Sequence, residues 1–236
     1  MTAVRAEDLL GNAVRALAPD PAANPLVPLI ERGEAPAETL AALALEQRWV
    51  IPADRTAFQH LAARADPASA AFFAALAAGE ELAQGRLSAF AQACGVHGER
   101  SGTYVPRPGC QAYPAYVAWL SLNASPPDAV VALTANFSAW GGYCARIATG
   151  LRTHYGFGDD SCAFFDLFAE PAPELDALAT AAVQGALDAG ALDMDLARTY
   201  GSLLQTYEAM FWDALRCTVE GTSRSGPAIR AGAQNT

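Results

Sequence analysis

A glutamate inside an apolar helical stripe near the end of the chain is the first candidate for chemistry. In the segment LLQTYEAMFWDALR, Leu204, Glu208, Phe211 and Leu215 recur at helical spacing, so a helix carries them on one face. Burying an unpaired carboxylate is costly, so the group either keeps a proton or finds a hydrogen-bond donor. A carboxyl group whose pKa is raised by burial can serve as a general acid or base. The alternative is a structural glutamate that is hydrogen-bonded to a neighbouring helix.

Two adjacent glutamates, Glu80 and Glu81, form a second candidate on another predicted helix. Di-iron carboxylate proteins use glutamates of bundle helices as ligands, with a histidine three residues after the glutamate. Here Gln84 stands three residues after Glu81, and none of the three histidines has another at i+3 or i+4. We therefore expect no metal site, and we expect one of the two glutamates to be exposed to solvent.

Two further polar features are expected to be structural. Cys144 lies in the apolar stripe of ALTANFSAWGGYCARIATGL with Arg146 as its only basic neighbour, which favours an inert buried thiol over a nucleophile. Asp54 and Arg55 in LEQRWVIPADR are expected to belong to an ion-paired helix surface.

The composition excludes several classes of function. The chain has 236 residues and a net charge of −10, and all 15 of its cationic residues are arginines. The charge argues against binding to nucleic acid, which requires clustered cations. The absence of lysine excludes Schiff-base chemistry, a lysine-bound pyridoxal phosphate and a Walker A loop.

The cysteines and the N-terminal sequence bear on the compartment. The five cysteines form no CxxC motif, which favours reduced thiols and a cytoplasmic location. The apolar runs are too short for a membrane span. Glu7 and Asp8 stand where a signal peptide would carry positive charge, so we expect neither a membrane anchor nor a leader.

The elements that must position these residues are helices. Alanine and leucine far outnumber valine and isoleucine, which favours helices over strands. Apolar periodicity and breaks at proline and glycine predict helices over residues 6–17, 25–32, 37–65, 68–95, 112–123, 127–154, 162–169, 172–190 and 192–220. We predict one all-α bundle of seven to nine helices over residues 1–220, followed by a disordered tail over residues 221–236.

Several of these segments resemble the TenA/thiaminase II family, in the order in which that family has them. The similarity is carried by NPLVPLIERGEAPAETLAALALEQRW, PAYVAWLSLNA, ALTANFSAWGGYCARI, FFDLFAEPAPELDAL and, most closely, TYEAMFWDAL. The resemblance implies a haem-oxygenase-like fold with the active site inside the bundle. It also implies hydrolysis of aminopyrimidine compounds derived from thiamin, no cofactor or metal, and a homodimer or homotetramer.

The resemblance also implies roles for individual residues. Glu208 matches the catalytic glutamate of the family, and Ser138 falls on its nucleophilic cysteine, two residues before Trp140. The aspartate that holds the pyrimidine falls on Gln47. The remaining expected pocket residues are Glu46, Tyr116, Trp140, Tyr143, Phe168 and Phe211.

These inferences leave three functions open. The first is an enzyme that hydrolyses a C–N bond of a thiamin-related or other small heterocycle, with Glu208 as acid and base and Ser138 orienting substrate or water. The second is a ligand-binding or accessory protein that kept the cavity and lost the nucleophile. The third is a cofactor-free oxidase similar to pyrroloquinoline-quinone synthase.

Overall fold

The structure is a computed structural model that describes residues 5–20, 24–98 and 102–223, and these residues form helices and loops without a β-strand. The helices are α1 (Ala6–Leu17), α2 (Val27–Glu31), α3 (Ala37–Arg64), α4 (Pro67–Ala93), α5 (Pro108–Asn123), α6 (Pro126–His154), α7 (Asp159–Ala169), α8 (Pro173–Asp188) and α9 (Met194–Ser223). The predicted all-α architecture is confirmed. The predicted tail, residues 221–236, overlaps the end of α9, and residues 224–236 lie outside the described part of the chain.

Local signals in the sequence explain where the helices begin and end. A proline occupies the first turn of α4, α5, α6 and α8, where the missing N–H would have no helical partner. Asp66 caps α4, because its carboxylate accepts hydrogen bonds from the backbone N–H groups of Ala68 and Ser69 at 3.0 and 3.1 Å. Gly95 has a φ of 71° and follows the end of α4, as expected for a left-handed helix terminus.

Two apolar clusters fill the interior of the bundle. The first cluster includes Ile51 of α3 and Phe211 of α9, and the second includes Phe58 of α3 and Leu204 of α9. The same long helices therefore contribute to both clusters, one at each end. The region between the clusters is where these helices carry buried polar side chains, and the candidate site lies there.

Helix α6 approaches two of its neighbours closely at glycines. A Cβ atom at Gly150 would lie 2.5 Å from the backbone oxygen of Ile30 in α2. A Cβ atom at Gly141 would lie 2.8 Å from the backbone oxygen of Phe168 in α7. Both distances are below van der Waals contact, so α2 and α7 reach these positions only because α6 has no side chain there.

Side chains on α5 and α9 leave apolar area at the surface. Trp119 and Leu122 of α5 and Leu203 and Met210 of α9 are all more than one third exposed. We call these four residues the α5–α9 apolar surface. None of the described helices is long and apolar enough to cross a membrane.

Candidate functional site

A cavity of about 50 Å³ lies between the two apolar clusters. A cavity of this volume has room for about four water molecules or one small ring. Six helices contribute its walls, α3, α4, α5, α6, α7 and α9. The lining residues are Gln47, Val50, Ile51, Asp54, Glu80, Tyr113, Phe137, Trp140, Phe168, Glu208 and Phe211.

Aromatic rings make up the apolar part of the cavity wall. The ring centroid of Trp140 lies 5.8 Å from that of Phe168, edge to face, and 5.9 Å from that of Trp212. Phe211 meets Trp212 edge to face with the centroids 5.4 Å apart. Such contacts hold the rings in fixed orientations, so the cavity presents a rigid aromatic surface to a planar ligand.

Glu208 is the polar group that α9 contributes to the cavity, and only 7% of its surface is exposed. Its Oε1 accepts a hydrogen bond of 3.1 Å from the indole Nε1 of Trp212, one helical turn later. Its Oε2 accepts a hydrogen bond of 2.6 Å from the amide Nδ2 of Asn136 in α6. Both hydrogen bonds stabilise the carboxylate, yet burial dominates and raises the pKa of Glu208 to about 7. The carboxyl group therefore exchanges its proton near neutral pH, as a general acid or base requires.

Asn136 connects Glu208 to a second helix. The hydroxyl of Tyr113 in α5 donates a hydrogen bond of 3.1 Å to the Oδ1 of Asn136. Asn136 is buried, and both the oxygen and the nitrogen of its side-chain amide are hydrogen-bonded. The chain Tyr113, Asn136, Glu208 and Trp212 holds the carboxyl group in one orientation across three helices.

Asp54 of α3 and Glu80 of α4 bring two more carboxyl groups to the cavity wall. They are 3% and 8% exposed, and the Oδ1 of Asp54 is buried without a hydrogen-bond partner among the described residues. Burial raises the pKa of Asp54 well above its usual range, and the charge of Glu80 raises it further. Burial raises the pKa of Glu80 to about 8. Two carboxylates this close disfavour ionising together, so the pair retains at least one proton at neutral pH.

The placement of Asp54 corrects the expectation that it belongs to an ion-paired surface with Arg55. Arg55 points outward and its guanidinium lies 3.2 Å from the carboxylate of Glu81. Neighbouring residues in a helix point about 100° apart, so the surface pair leaves Asp54 and Glu80 facing inward. The prediction that one of the adjacent glutamates is exposed is confirmed by Glu81.

The structure brings five of the sequence-predicted site residues together at this cavity. They are Gln47, Trp140, Phe168, Glu208 and Phe211. Phe168 reaches the cavity because α7 lies close to Gly141 of α6.

The structure places the other four predicted site residues away from this cavity. Ser138 is exposed and borders, with Tyr143, a different pocket of about 260 Å³ beside the end of α1. The ring of Tyr143 packs edge to face against Trp212, with the centroids 5.6 Å apart. The ring of Tyr116 lies between those of Trp119 and Tyr207, at 5.6 and 4.8 Å.

Glu46 has a structural position instead of a place in the cavity wall. It is fully buried and accepts hydrogen bonds from the hydroxyl of Tyr104, the backbone N–H of Arg107 and the side-chain amide of Gln111. The last two bonds are each 2.9 Å long. Glu46 thereby joins α3 to the first turn of α5 and to the loop before it, and it faces away from Gln47, its neighbour in α3.

The polar side chain that α6 directs to Glu208 is Asn136, whereas the sequence predicted Ser138 as the polar site residue of this helix. The two residues are two positions apart in α6, which corresponds to a rotation of about 200° around the helix axis. Counting two residues back from Trp140 therefore selected Ser138, which lies on the opposite face of α6 from Asn136. Sequence reasoning also missed Tyr113, and it placed Asp54 at the surface because charged residues surround it in LEQRWVIPADR.

No group of three or more histidine, cysteine, aspartate or glutamate side chains in the described residues is arranged to hold a metal ion. Cys144 is fully buried, and burial raises the pKa of its thiol well above the usual range. A thiol in that state is a poor nucleophile, which agrees with the predicted inert role.

Two comparisons by structure identify the fold. The chain is similar to a domain of unknown function with a heme oxygenase-like fold from Shewanella denitrificans, with a TM-score of 0.70, 14% identity, and coverage of 96% of this chain and 97% of that one. It is also similar to a TenA homologue protein from P. horikoshii, with a TM-score of 0.67, 16% identity, and coverage of 90% and 98%. No family profile and no curated protein sequence matches the chain. The predicted haem-oxygenase-like fold is confirmed.

Proposed function

We propose that this protein is a TenA-like small-molecule enzyme that hydrolyses a C–N bond of an aminopyrimidine or another small heterocycle, with Glu208 as general acid and base. The observation that carries the proposal is a buried carboxyl group with a pKa near 7 in the wall of a ring-sized aromatic cavity. Such a group can give a proton to a leaving amine and take one from water at neutral pH. The similarity to the TenA homologue protein supports the same class of chemistry.

In the proposed reaction the substrate ring lies against the aromatic rings of Trp140 and Phe211. Glu208 as carboxylate removes a proton from a water molecule, whose oxygen attacks the ring carbon that bears the amine. Glu208 as carboxylic acid then returns that proton to the departing nitrogen, so one C–O bond forms, one C–N bond breaks and ammonia or an amine leaves. Water is the nucleophile in this scheme, because Ser138 is exposed on the other face of α6.

The surrounding residues have positioning roles in this scheme. The hydrogen bonds from Asn136 and Trp212 orient both carboxylate oxygens and limit how far burial raises the pKa of Glu208. Gln47 lies in the cavity wall and offers an amide donor and acceptor for the edge of a heterocycle.

The test is the Glu208→Gln variant, assayed for release of ammonia from a panel of aminopyrimidines. Gln keeps the shape of the side chain and cannot transfer a proton, so we expect turnover to fall by roughly 100-fold or more. The matched control is Glu81→Gln, the same chemical change on an exposed residue, which should leave turnover unchanged. Turnover that persists in Glu208→Gln would contradict the role proposed for Glu208.

A second candidate function is a ligand-binding protein without catalysis. It is favoured by one observation, that none of the residues lining the cavity carries a thiol or an aliphatic hydroxyl. It predicts saturable binding of a small heterocycle without product after long incubation. Oxygen consumption with a bound candidate substrate would instead favour the cofactor-free oxidase.

A further inference from the structure

The Asp54 and Glu80 carboxyl groups are not used in the reaction proposed for Glu208, although they line the same cavity. Both side chains are more than nine-tenths buried. The Oδ1 of Asp54 has no hydrogen-bond partner in the part of the chain that the structure describes. A buried, unsatisfied carboxyl oxygen is costly to a fold, so its hydrogen-bond partner has to come from inside the cavity, as water or as a ligand.

No positive charge in the cavity wall balances these carboxyl groups. The lining residues include neither arginine nor histidine, and the chain has no lysine. Arg55, next to Asp54 in sequence, is engaged at the surface by Glu81. The described residues also form no group of three or more histidine, cysteine, aspartate or glutamate side chains that could hold a metal ion here.

The two carboxyl groups and Glu208 reach the cavity wall from different helices, Asp54 from α3, Glu80 from α4 and Glu208 from α9. The charge of Glu80 adds to the effect of burial on the pKa of Asp54, whereas the pKa of Glu208 is set by burial and by its own two hydrogen bonds. Tyr113 of α5 lines the same cavity, and the charges of all three carboxylates raise the pKa of its hydroxyl. A ligand that fills the cavity can therefore contact Asp54 and Glu80 at one edge and Glu208 at another.

We propose that Asp54 and Glu80 form a subsite for the positively charged nitrogen of an organic cation, so that the ligand of this cavity is a small planar ring that carries one positive charge. When the cation binds, the pair releases a proton to solvent, so that one carboxyl group is ionised; the unsatisfied oxygen of Asp54 accepts a hydrogen bond from the cationic N–H, and Glu80 supplies a second acceptor. The rings of Phe137, Trp140 and Phe211 add attraction between their faces and the cation. This inference deepens the proposed function and rests on it only for the location of the site.

Isothermal titration calorimetry at neutral pH with 4-aminopyridine and aniline tests the proposal. The two molecules have nearly the same shape, and only 4-aminopyridine is a cation at that pH. We expect the cation to bind at least tenfold more tightly than aniline, because a hydrogen bond to a charged group is worth about 1.5–3 kcal/mol and 1.4 kcal/mol is a factor of ten. Equal affinities, or binding of neither molecule, would overturn the proposal.

The Asp54→Asn and Glu80→Gln variants locate the binding site. Each replaces a carboxyl group by a neutral side chain of the same shape, so each resembles the protonated form and should fold, which circular dichroism checks. We expect each to lose at least about tenfold in affinity for the cation and to keep its weak affinity for aniline. Glu81→Gln is the control and should bind as the unaltered protein does. Full affinity for 4-aminopyridine in a folded Asp54→Asn or Glu80→Gln variant would refute the subsite.

The same titration on Glu208→Gln separates this inference from the proposed function. Binding of the cation should persist in that variant, because Asp54 and Glu80 are intact. If Glu208→Gln retains turnover while Asp54→Asn loses the cation, the proposed mechanism fails and the cation subsite stands. If the reverse holds, the mechanism stands and the subsite fails.

Discussion

Replacing Glu208 by Gln should change how the stability of the protein depends on pH. Burial raises the pKa of Glu208 from its usual 4.5 to about 7 in the folded protein. The folded state therefore holds this proton more tightly than the unfolded state does. The stability that this bound proton gives to the folded state is fully present below pH 4.5 and is lost as the pH rises through about 7. Gln cannot ionise, so the Glu208→Gln variant should not lose this part of its stability as the pH rises.

The size of the effect follows from the shift in pKa. One pKa unit corresponds to 1.36 kcal/mol, so a shift of about 2.5 units corresponds to about 3 kcal/mol. The isoelectric point near 4.7 makes the lowest pH values impractical, because proteins precipitate close to it. Between about pH 5.5 and about pH 8, the titration of Glu208 accounts for about 2 kcal/mol of this loss.

Gln fits the hydrogen-bonding positions that Glu208 occupies. Its oxygen can accept from Trp212, and its amide nitrogen can donate to Asn136 if the Asn136 amide turns over. Asn136 then donates to the hydroxyl of Tyr113, which also accepts hydrogen bonds. No buried polar atom loses its partner, so the variant should fold and the comparison isolates the charge.

Urea unfolding of both proteins, followed by far-ultraviolet circular dichroism at both pH values, measures the difference. The free energy of unfolding of Glu208→Gln should gain about 2 kcal/mol relative to the unaltered protein on going from about pH 5.5 to about pH 8. Asp54 and Glu80 titrate in both proteins and cancel. The Glu81→Gln control should parallel the unaltered protein. Parallel curves for Glu208→Gln as well would mean that Glu208 has an ordinary pKa, and the acid-and-base role would have no support.

Three further predictions concern the site and the surface. Trp212→Phe removes one donor to the carboxylate, so the pKa of Glu208 should rise by about one unit or more, visible in a carboxyl ¹³C NMR titration; an unchanged or lower pKa would contradict the assigned hydrogen bond. Gly150→Ala should destabilise the fold by about 1–3 kcal/mol, whereas Gly142→Ala, with open space around it, should be neutral or stabilising by up to about 1 kcal/mol; thermal unfolding compares the two. The predicted homodimer or homotetramer would cover the α5–α9 apolar surface, so light scattering should give a mass two or four times the chain mass of 24.6 kDa. A mass equal to that of one chain would contradict this prediction.

Helix positions were predictable because their signals are local. Prolines in first turns and Gly95 after α4 act through the backbone of a few neighbouring residues. The predicted helix over residues 68–95 and the observed α4, Pro67–Ala93, differ by no more than two residues at each end. The arrangement of the helices came from the resemblance, because periodicity alone does not say which helices meet.

Apolar periodicity alone predicted the site only where one helix carried the whole signal, and the resemblance added Gln47, Trp140 and Phe168 from other helices. Glu208 stands out because its own helix surrounds it with apolar residues. Asp54, Glu80 and Asn136 join it from three other helices, and this meeting depends on the axial register of the bundle. The shift from Ser138 to Asn136 shows the same limit, since two positions along one helix exchange its inner and outer faces.

The close approach of α6 and α7 at Gly141 limits the width of the cavity. Any side chain there would press on the backbone oxygen of Phe168 and push α7 outward, taking an aromatic ring out of the cavity wall. A single substitution at position 141 would therefore loosen the packing of α6 against α7 and widen the cavity for a larger ligand. It would do so without altering any group that touches the reacting atoms.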